Sequence, residues 1–225
     1  MMNSLSQPNP ASAPRVLIVT AVAAERDAVL RGLGGSRRFH VIAAGAGTAA
    51  AAAGTAAALA AGAYGCVISA GIGGGFPGAA PLGSLAVASE MIAADLGAET
   101  PEGFRSAAEL GFGSVSVPAE RGTVQALAAA LAAAGLAVST GPVLTVSTAT
   151  GTVGTAAALA ARHPGAVAEA MEGHGVAVAA HALGIAALEL RAISNPVGPR
   201  DRAAWRIPEA LDALAAAAAI LPEVL

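Results

Sequence analysis

The sequence predicts an α/β fold: a single three-layer domain in which a central mixed, largely parallel sheet is flanked by helices. Two observations predict it. Short apolar runs alternate with alanine-rich helical segments, which is typical of a parallel sheet covered on both faces. The chain has 225 residues and shows no internal repeat or interdomain linker, as expected for one large domain. We expect this domain to span residues 15–225, after a disordered N-terminal extension over residues 1–14.

The first half of the chain alternates strictly between the two kinds of segment. Three apolar runs predict buried strands at 15–20, 39–44 and 66–70. The segments between them predict helices at 24–33 and 48–63. The third strand leads into a glycine cluster at 71–75.

The second half of the chain is less regular. Longer strands are predicted at 84–93 and 136–147, and they are separated by a loop region at 96–113 and a helix at 123–134. The remaining elements follow in the order helix, helix, strand, helix, at 152–162, 173–183, 185–194 and 208–220.

Composition and charge exclude several classes of function. The formal net charge is -3, and no basic patch is present that would indicate a nucleic-acid or membrane-surface partner. The single cysteine, Cys66, excludes an internal disulfide and a cysteine-based metal cluster. The first residues lack the basic start and apolar core of a signal peptide, so we expect a cytoplasmic protein.

One uncharged stretch raises the alternative of a membrane span. No charged residue lies between His40 and Glu90, which is long enough for a transmembrane helix. Glycines interrupt the stretch repeatedly, however, and alanine contributes little to membrane insertion. The pattern therefore favours short strands and helices within a protein that has no membrane span.

The segment 45–50, Gly-Ala-Gly-Thr-Ala-Ala, is a G-x-G-x-x-A turn between a strand and a helix. Such a turn is part of the fingerprint of dinucleotide-binding oxidoreductases. That fingerprint also needs an acidic residue about 20 positions later to bind a ribose hydroxyl, and none occurs before Glu90. The sequence therefore favours a tight turn that opens a helix, with no dinucleotide cofactor.

Several polar residues stand at the ends of predicted strands, where α/β sheets place their sites. Glu25 follows the first strand, although a helix-start glutamate on the surface is the alternative. The glycines after the third strand leave backbone N–H groups accessible, or form a flexible connection. Glu172 is bracketed by apolar and small residues, so its carboxylate needs partners. The last strand ends in the polar pair Ser194 and Asn195.

Four segments, in this order, resemble the nucleosidases that cleave methylthioadenosine and S-adenosylhomocysteine and their relatives in the nucleoside-phosphorylase-like superfamily. The segments are VTAVAAERDAV, VISAGIGGGFPG, AEAMEGHGVAVA and LRAISNPVGPRD. With the pattern between them, they cover nearly the whole chain from Arg15 onward. The resemblance implies hydrolysis of an N-glycosidic bond in a purine nucleoside, without metal or cofactor. It also implies a homo-oligomer.

The resemblance carries roles to individual residues. Glu25 falls on the glutamate that activates the attacking water, and Glu172 on the glutamate that binds the ribose hydroxyls. The other implied substrate-binding residues lie beside the ribose, beside the purine ring or on the strand that leads to the base pocket: Gly73, Gly74, Met171, Thr150, Arg191 and Ser194.

The sequence departs from the adenine-specific nucleosidases at Asn195. Those enzymes have an aspartate here, which protonates the purine at N7. Hypoxanthine and guanine present two acceptors, N7 and O6, on one edge, and a carboxamide NH₂ can donate to both. Asn195 therefore indicates a 6-oxopurine leaving group, stabilised by hydrogen bonding rather than by proton transfer.

The run 193–202, with Trp205 following, is similar to futalosine hydrolases, which release hypoxanthine from futalosine in an alternative route to menaquinone. Futalosine carries a benzoate, which an arginine can bind in a bidentate manner. The candidates are Arg200, Arg202 and Arg206, with surface solvation as the alternative. Four other functions stay open: a different 6-oxopurine nucleoside hydrolase, a nucleoside phosphorylase, a methylthioadenosine nucleosidase and a non-catalytic nucleoside-binding module.

Overall fold

The computed structural model describes residues 14–225 of the chain. Apart from Pro14, the expected disordered extension over residues 1–14 lies outside the described residues. No helix within the described part is long and apolar enough to cross a membrane.

The described chain alternates strands and helices as the sequence predicts. Its strands are β1 (Val16–Thr20), β2 (Phe39–Ala43), β3 (Cys66–Gly75), β4 (Leu85–Ala93), β5 (Gly97–Thr100), β6 (Gly103–Ser106), β7 (Ser116–Pro118), β8 (Val138–Thr145), β9 (Ala168–Ala170) and β10 (Ala186–Pro196). Its α-helices are α1 (Ala23–Leu33), α2 (Thr48–Ala61), α3 (Arg121–Ala133), α4 (Val153–Arg162), α5 (Gly173–His181) and α6 (Ile207–Val224). A short 3₁₀ helix covers Arg202–Ala204.

The central sheet is mixed and largely parallel, which confirms the predicted fold class. The pairings of β1 with β2 and β3, of β3 with β10, and of β8 with β4 and β9 are parallel. The antiparallel pairs join β3 to β9, and β4 to β10 and β7. Because β10 pairs with both β3 and β4, the strands β3, β10, β4, β8 and β9 close into a ring. This closure was not predicted from the sequence.

Helices cover both sides of the sheet. Helices α1, α3 and α6 pack on one side, and their apolar residues join a core cluster that includes Ile18, Ile68, Leu127 and Leu214. Helices α2 and α5 pack together on the other side, where Leu17, Val67 and Val176 are buried. The strand ends between these two layers are thereby fixed on a rigid frame.

Two expectations about the less regular middle of the chain are corrected. The predicted loop at 96–113 contains an antiparallel hairpin, β5 with β6, whose residues alternate between exposed and half-buried. It has no apolar run that would have indicated strands. Strands β7 and β9 also escaped prediction, since three residues are too few to display a period of two.

Candidate active site

A pocket lies at the carboxyl ends of β1, β3 and β10, the edge where open α/β sheets bind their ligands. Apart from Arg191 and the two alternative arginine candidates Arg202 and Arg206, the residues predicted for the site line it: Glu25, Gly73, Gly74, Thr150, Met171, Glu172, Ser194, Asn195 and Arg200. Residues from distant parts of the chain therefore meet in one cavity.

Glu25 projects into this pocket from the first turn of α1 and is only 4% exposed. Its Oε2 accepts hydrogen bonds from the backbone N–H groups of Ala21 (3.0 Å) and Val22 (3.2 Å). Its Oε1 accepts one from the N–H of Ile72 on β3 (2.9 Å). A glutamate in the first turn commonly reaches back to the helix start in this way, and here the contact holds the carboxylate on the pocket wall. The alternative of an exposed surface glutamate is wrong.

Glu172 stands at the start of α5 and is 6% exposed. Its Oε1 accepts from the backbone N–H of Gly47 (3.0 Å), and its Oε2 lies 3.1 Å from Arg191 Nη1. The carboxylate has the partners that its apolar surroundings require. Gly47 belongs to the G-x-G-x-x-A turn, which begins α2 as the sequence favoured and directs an N–H group to Glu172.

Arg191 is 1% exposed and lies behind the pocket wall rather than on it. Besides Glu172, its guanidinium donates to Glu189 Oε1 (2.8 Å from Nε) and to Ser69 Oγ (2.8 Å from Nη2). Burial lowers the pKa of Arg191, but the carboxylates of Glu189, Glu172 and Glu25 outweigh it and raise the pKa above its usual range. The guanidinium is a fixed positive charge, and each of its three nitrogens already has a protein partner.

Ser194 and Asn195 both reach the pocket although they are consecutive in β10. The β10–β3 register shifts between Ile193 and Asn195, and a bulge of this kind re-aims a side chain. Ser194 Oγ donates to Asn195 Oδ1 (2.9 Å), which fixes the orientation of the amide. Asn195 Nδ2 donates to the carbonyl of Pro196 (3.0 Å), so one N–H of the amide remains for a ligand in this state.

Glu169, on β9, is a carboxylate on the pocket wall that sequence reasoning missed. It is 7% exposed. The backbone N–H of Thr150 donates to its Oε1 (2.8 Å), and the Thr150 hydroxyl donates to its Oε2. Burial raises the pKa of Glu169, and the two bonds from Thr150 partly oppose that shift. Its place in the AEAMEGHG segment, three positions before Glu172, was the available signal.

Arg200 is exposed and lies on the rim of the pocket with Trp205. Its guanidinium carbon lies 5.4 Å from the centre of the Trp205 ring, and that of Arg202 lies 5.8 Å from the same ring. Of the three arginine candidates for carboxylate binding, Arg200 alone is among the residues that line the pocket; Arg206 is exposed at the start of α6.

Comparison with known proteins identifies the family. Residues 19–225 match the model of the phosphorylase superfamily. A curated futalosine hydrolase from Streptomyces coelicolor is 54% identical over 93% of this chain and 96% of its own length. This chain belongs to the futalosine hydrolase family of that superfamily. The family assignment confirms the resemblance drawn from the four sequence segments.

Two solved structures have the same fold as this chain. A methylthioadenosine/S-adenosylhomocysteine nucleosidase from Neisseria meningitidis, in complex with methylthio-immucillin-A, matches 94% of this chain and 98% of its own with a TM-score of 0.78 at 18% identity. A futalosine hydrolase mutant of Helicobacter pylori strain 26695 matches 93% of this chain and 99% of its own, with a TM-score of 0.79 at 16% identity. At these identities, the likeness concerns the fold.

Proposed function

We propose that this protein hydrolyses the N-glycosidic bond of futalosine and releases hypoxanthine and dehypoxanthine futalosine, in an alternative route to menaquinone. One observation carries the proposal: the carboxylates of Glu25 and Glu172 and the amide of Asn195 line the same pocket, in a chain 54% identical to a futalosine hydrolase. Two carboxylates and one amide supply a base, a sugar anchor and a purine partner.

Glu172 is the proposed ribose anchor. Gly47 N–H and Arg191 hold its two oxygens from behind, and an ionised carboxylate has further lone pairs for hydroxyl groups. Met171 lines the pocket beside it and offers an apolar surface to the sugar. The negative charge of Glu172 also stabilises the oxocarbenium-like cation that develops at C1′.

Glu25 is the proposed general base. In the reaction, a water oxygen bonds to C1′ while the C1′–N9 bond breaks, and its electron pair leaves with the purine. The water gives a proton to Glu25, which three backbone N–H groups hold in place. General-base help of this kind contributes about 10²–10⁴-fold, and positioning and charge stabilisation supply the rest.

Asn195 is the proposed partner of the leaving purine. Its free N–H can donate to one acceptor of a 6-oxopurine, and if the bond to Pro196 were given up, the NH₂ could donate to both N7 and O6. The hydroxyl of Ser194 donates to the amide oxygen of Asn195 and so keeps that oxygen engaged within the protein. Hydrogen bonds from the amide stabilise the negative charge that the purine acquires as the glycosidic bond breaks.

Water rather than phosphate is the proposed nucleophile. Among the described residues that line the pocket, Arg200 on the rim carries the positive charge, and each guanidinium nitrogen of Arg191, behind the wall, already has a protein partner. A phosphate beside C1′ would face the carboxylate of Glu25. We assign Arg200, with Trp205 beneath it, to the benzoate of futalosine, since a guanidinium binds a carboxylate in a bidentate manner.

The test is chromatographic. The purified protein is incubated with futalosine, inosine and methylthioadenosine, with and without phosphate, and released base is followed. We expect hypoxanthine from futalosine at the same rate in both buffers. A rate that depends on phosphate would establish a phosphorylase, and adenine from methylthioadenosine would overturn the assignment of Asn195. Tight binding of nucleosides without release of base would instead establish a non-catalytic binding module.

Two expectations from the family resemblance complete the proposal. We propose that the protein is a homo-oligomer, which light scattering coupled to gel filtration measures directly. We also propose a cytoplasmic location, which fractionation of cells that express the full chain would test.

A further inference from the structure

Glu169 has no part in the mechanism proposed above, although it stands on the wall of the same pocket. Thr150 donates to both oxygens of its carboxylate, once from the backbone and once from the hydroxyl. A carboxylate offers about four acceptor positions, so Glu169 keeps acceptor capacity after Thr150 is satisfied. The backbone bond from Thr150 fixes the direction of the group.

Glu169 and Asn195 flank one glycine. In the sheet register, Gly74 of β3 pairs with Glu169 of β9 on one side and with Asn195 of β10 on the other. Register partners in a sheet direct their side chains to the same face, and both of these line the pocket. Adjacent strands are about 4.8 Å apart, so the two backbones stand roughly 10 Å apart. Gly74 has no side chain, and a Cβ there would lie 3.2 Å from Asn195 Nδ2 and 3.0 Å from Val197 Cγ2, so the amide of Asn195 lies over this glycine.

Hypoxanthine presents two kinds of group along one edge. N7 and O6 accept hydrogen bonds, whereas N1, next to O6, carries a hydrogen and donates. Adenine differs at this position, because its N1 has no hydrogen and accepts. An amide donor on one side of Gly74 and a carboxylate acceptor on the other match the order of groups in hypoxanthine and not that in adenine.

We propose that Glu169 is a specificity-determining residue that accepts a hydrogen bond from N1–H of the 6-oxopurine, opposite Asn195. The inference rests on the proposed function, in which Asn195 holds the N7 and O6 part of the same edge. Thr150 is then a positioning residue, since it aims the carboxylate.

The variant Glu169→Gln inverts the hydrogen-bonding character of this group. The backbone N–H of Thr150 requires an acceptor, so the amide oxygen takes the place of Oε1 and the NH₂ takes that of Oε2. A donor then faces N1. We expect affinity for hypoxanthine to fall about 10- to 100-fold, the range for a lost hydrogen bond to a charged group, and the preference over adenine to shrink or invert.

Glu90→Gln is the matched control. Glu90 is a half-buried glutamate of β4 whose carboxylate also accepts a bond from a hydroxyl, that of Ser116, and it is not among the pocket-lining residues. This variant should keep the wild-type affinities for hypoxanthine and adenine.

The experiment is calorimetric titration of the wild type and both variants with free hypoxanthine, adenine and 1-methylhypoxanthine. We expect the wild type to bind hypoxanthine at least about 10-fold more tightly than the other two bases. Wild-type affinity and preference in the Glu169→Gln variant would overturn the assignment. If that variant does not fold, equal binding of hypoxanthine and 1-methylhypoxanthine by the wild type would overturn it instead.

The two proposals fail separately. If the wild type releases no base from futalosine but prefers hypoxanthine through Glu169, the hydrolase proposal is wrong and the specificity assignment holds. If futalosine is hydrolysed while Glu169→Gln binds both bases as the wild type does, only the specificity assignment is wrong.

Discussion

Arg191 Nη1 lies 3.1 Å from Glu172 Oε2, so a guanidinium buried behind the pocket holds a carboxylate on its wall. The Nε of the same arginine lies 2.8 Å from Glu189 Oε1. Glu25 approaches as well, because Gly71 leaves room: a Cβ there would lie 2.5 Å from Glu25 Oε1 and 2.8 Å from Arg191 Nη1. One buried cation thus connects the proposed ribose anchor with the proposed base.

Replacement of Arg191 should destabilise the protein strongly. In Arg191→Met, Glu172 and Glu189 lose their buried counter-ion, and breaking a buried ion pair typically costs about 3–5 kcal/mol. Urea unfolding followed by circular dichroism measures the loss. The matched control is Arg26→Met, which removes the exposed ion pair with Asp27 and should change the free energy of unfolding by at most about 1 kcal/mol. Equal losses in the two variants would contradict the central role of Arg191.

Glu25→Gln should abolish most turnover. Without a base, kcat is expected to fall about 10²–10⁴-fold. Both oxygens of Glu25 accept backbone N–H groups, so the NH₂ of glutamine faces a donor in either orientation and costs about 1–3 kcal/mol of stability. Binding of free hypoxanthine should persist, which separates lost chemistry from lost folding. Steady-state hydrolysis of futalosine provides the rate.

The control for that variant is Glu209→Gln, which changes an exposed glutamate in the first turn of α6. It should keep wild-type kcat. Full turnover by Glu25→Gln would remove the assigned base.

Gly173→Ala should destabilise the start of α5. A Cβ at this position would lie 2.0 Å from Glu189 Oε2, and that carboxylate is buried and bound to Arg191. Overpacking of this kind costs about 1–3 kcal/mol. Gly154→Ala, in α4, meets nothing within 4 Å and should be neutral or stabilise by about 0.5–1 kcal/mol. Thermal unfolding measures the change in Tm of each variant, and the prediction fails if the two variants change Tm equally.

His174 should make stability depend on pH. Burial lowers the pKa of His174, and its Nε2 has no hydrogen-bond partner among residues 14–225. Below about pH 6.5 the unfolded chain takes up a proton that the folded protein resists. As the pH is lowered, the free energy of unfolding of the wild type should therefore decrease relative to that of His174→Leu. The decrease should be up to about 1.4 kcal/mol per pH unit until the folded-state pKa is reached. Urea unfolding from pH 7 downward measures it, and identical pH profiles would refute it.

The sequence predicted most of the fold because several strands of the central sheet are continuous apolar runs. Runs such as Val16–Thr20 and 66–70 carry a strong local signal, whereas the continuation of β3 through the glycines to Gly75 was not predicted. The closed ring of strands carries none, since it depends on β10 pairing with both β3 and β4. The hairpin β5–β6 is polar and short, and such strands are stabilised by pairing rather than by a pattern that the sequence displays.

The site was predictable where a residue belongs to a quoted motif, as with Glu25 and Glu172. Arg191 was predicted to bind substrate. An arginine inside an apolar strand gives no indication of which carboxylates surround it. Its burial depends on the contact with Glu189, which lies two residues away on the same face of the strand. The pairing of Glu169 with Thr150 joins two segments through a three-residue strand, which no local pattern indicates.

Trp205 is the only tryptophan in the sequence, and it lies on the pocket rim near the guanidinium groups of Arg200 and Arg202. Its fluorescence therefore originates at the site where substrate is proposed to enter. A ligand that reaches Arg200 should alter the surroundings of the indole ring and thus its emission. The native protein carries its own optical probe, and rapid mixing could time the arrival of substrate separately from cleavage of the glycosidic bond.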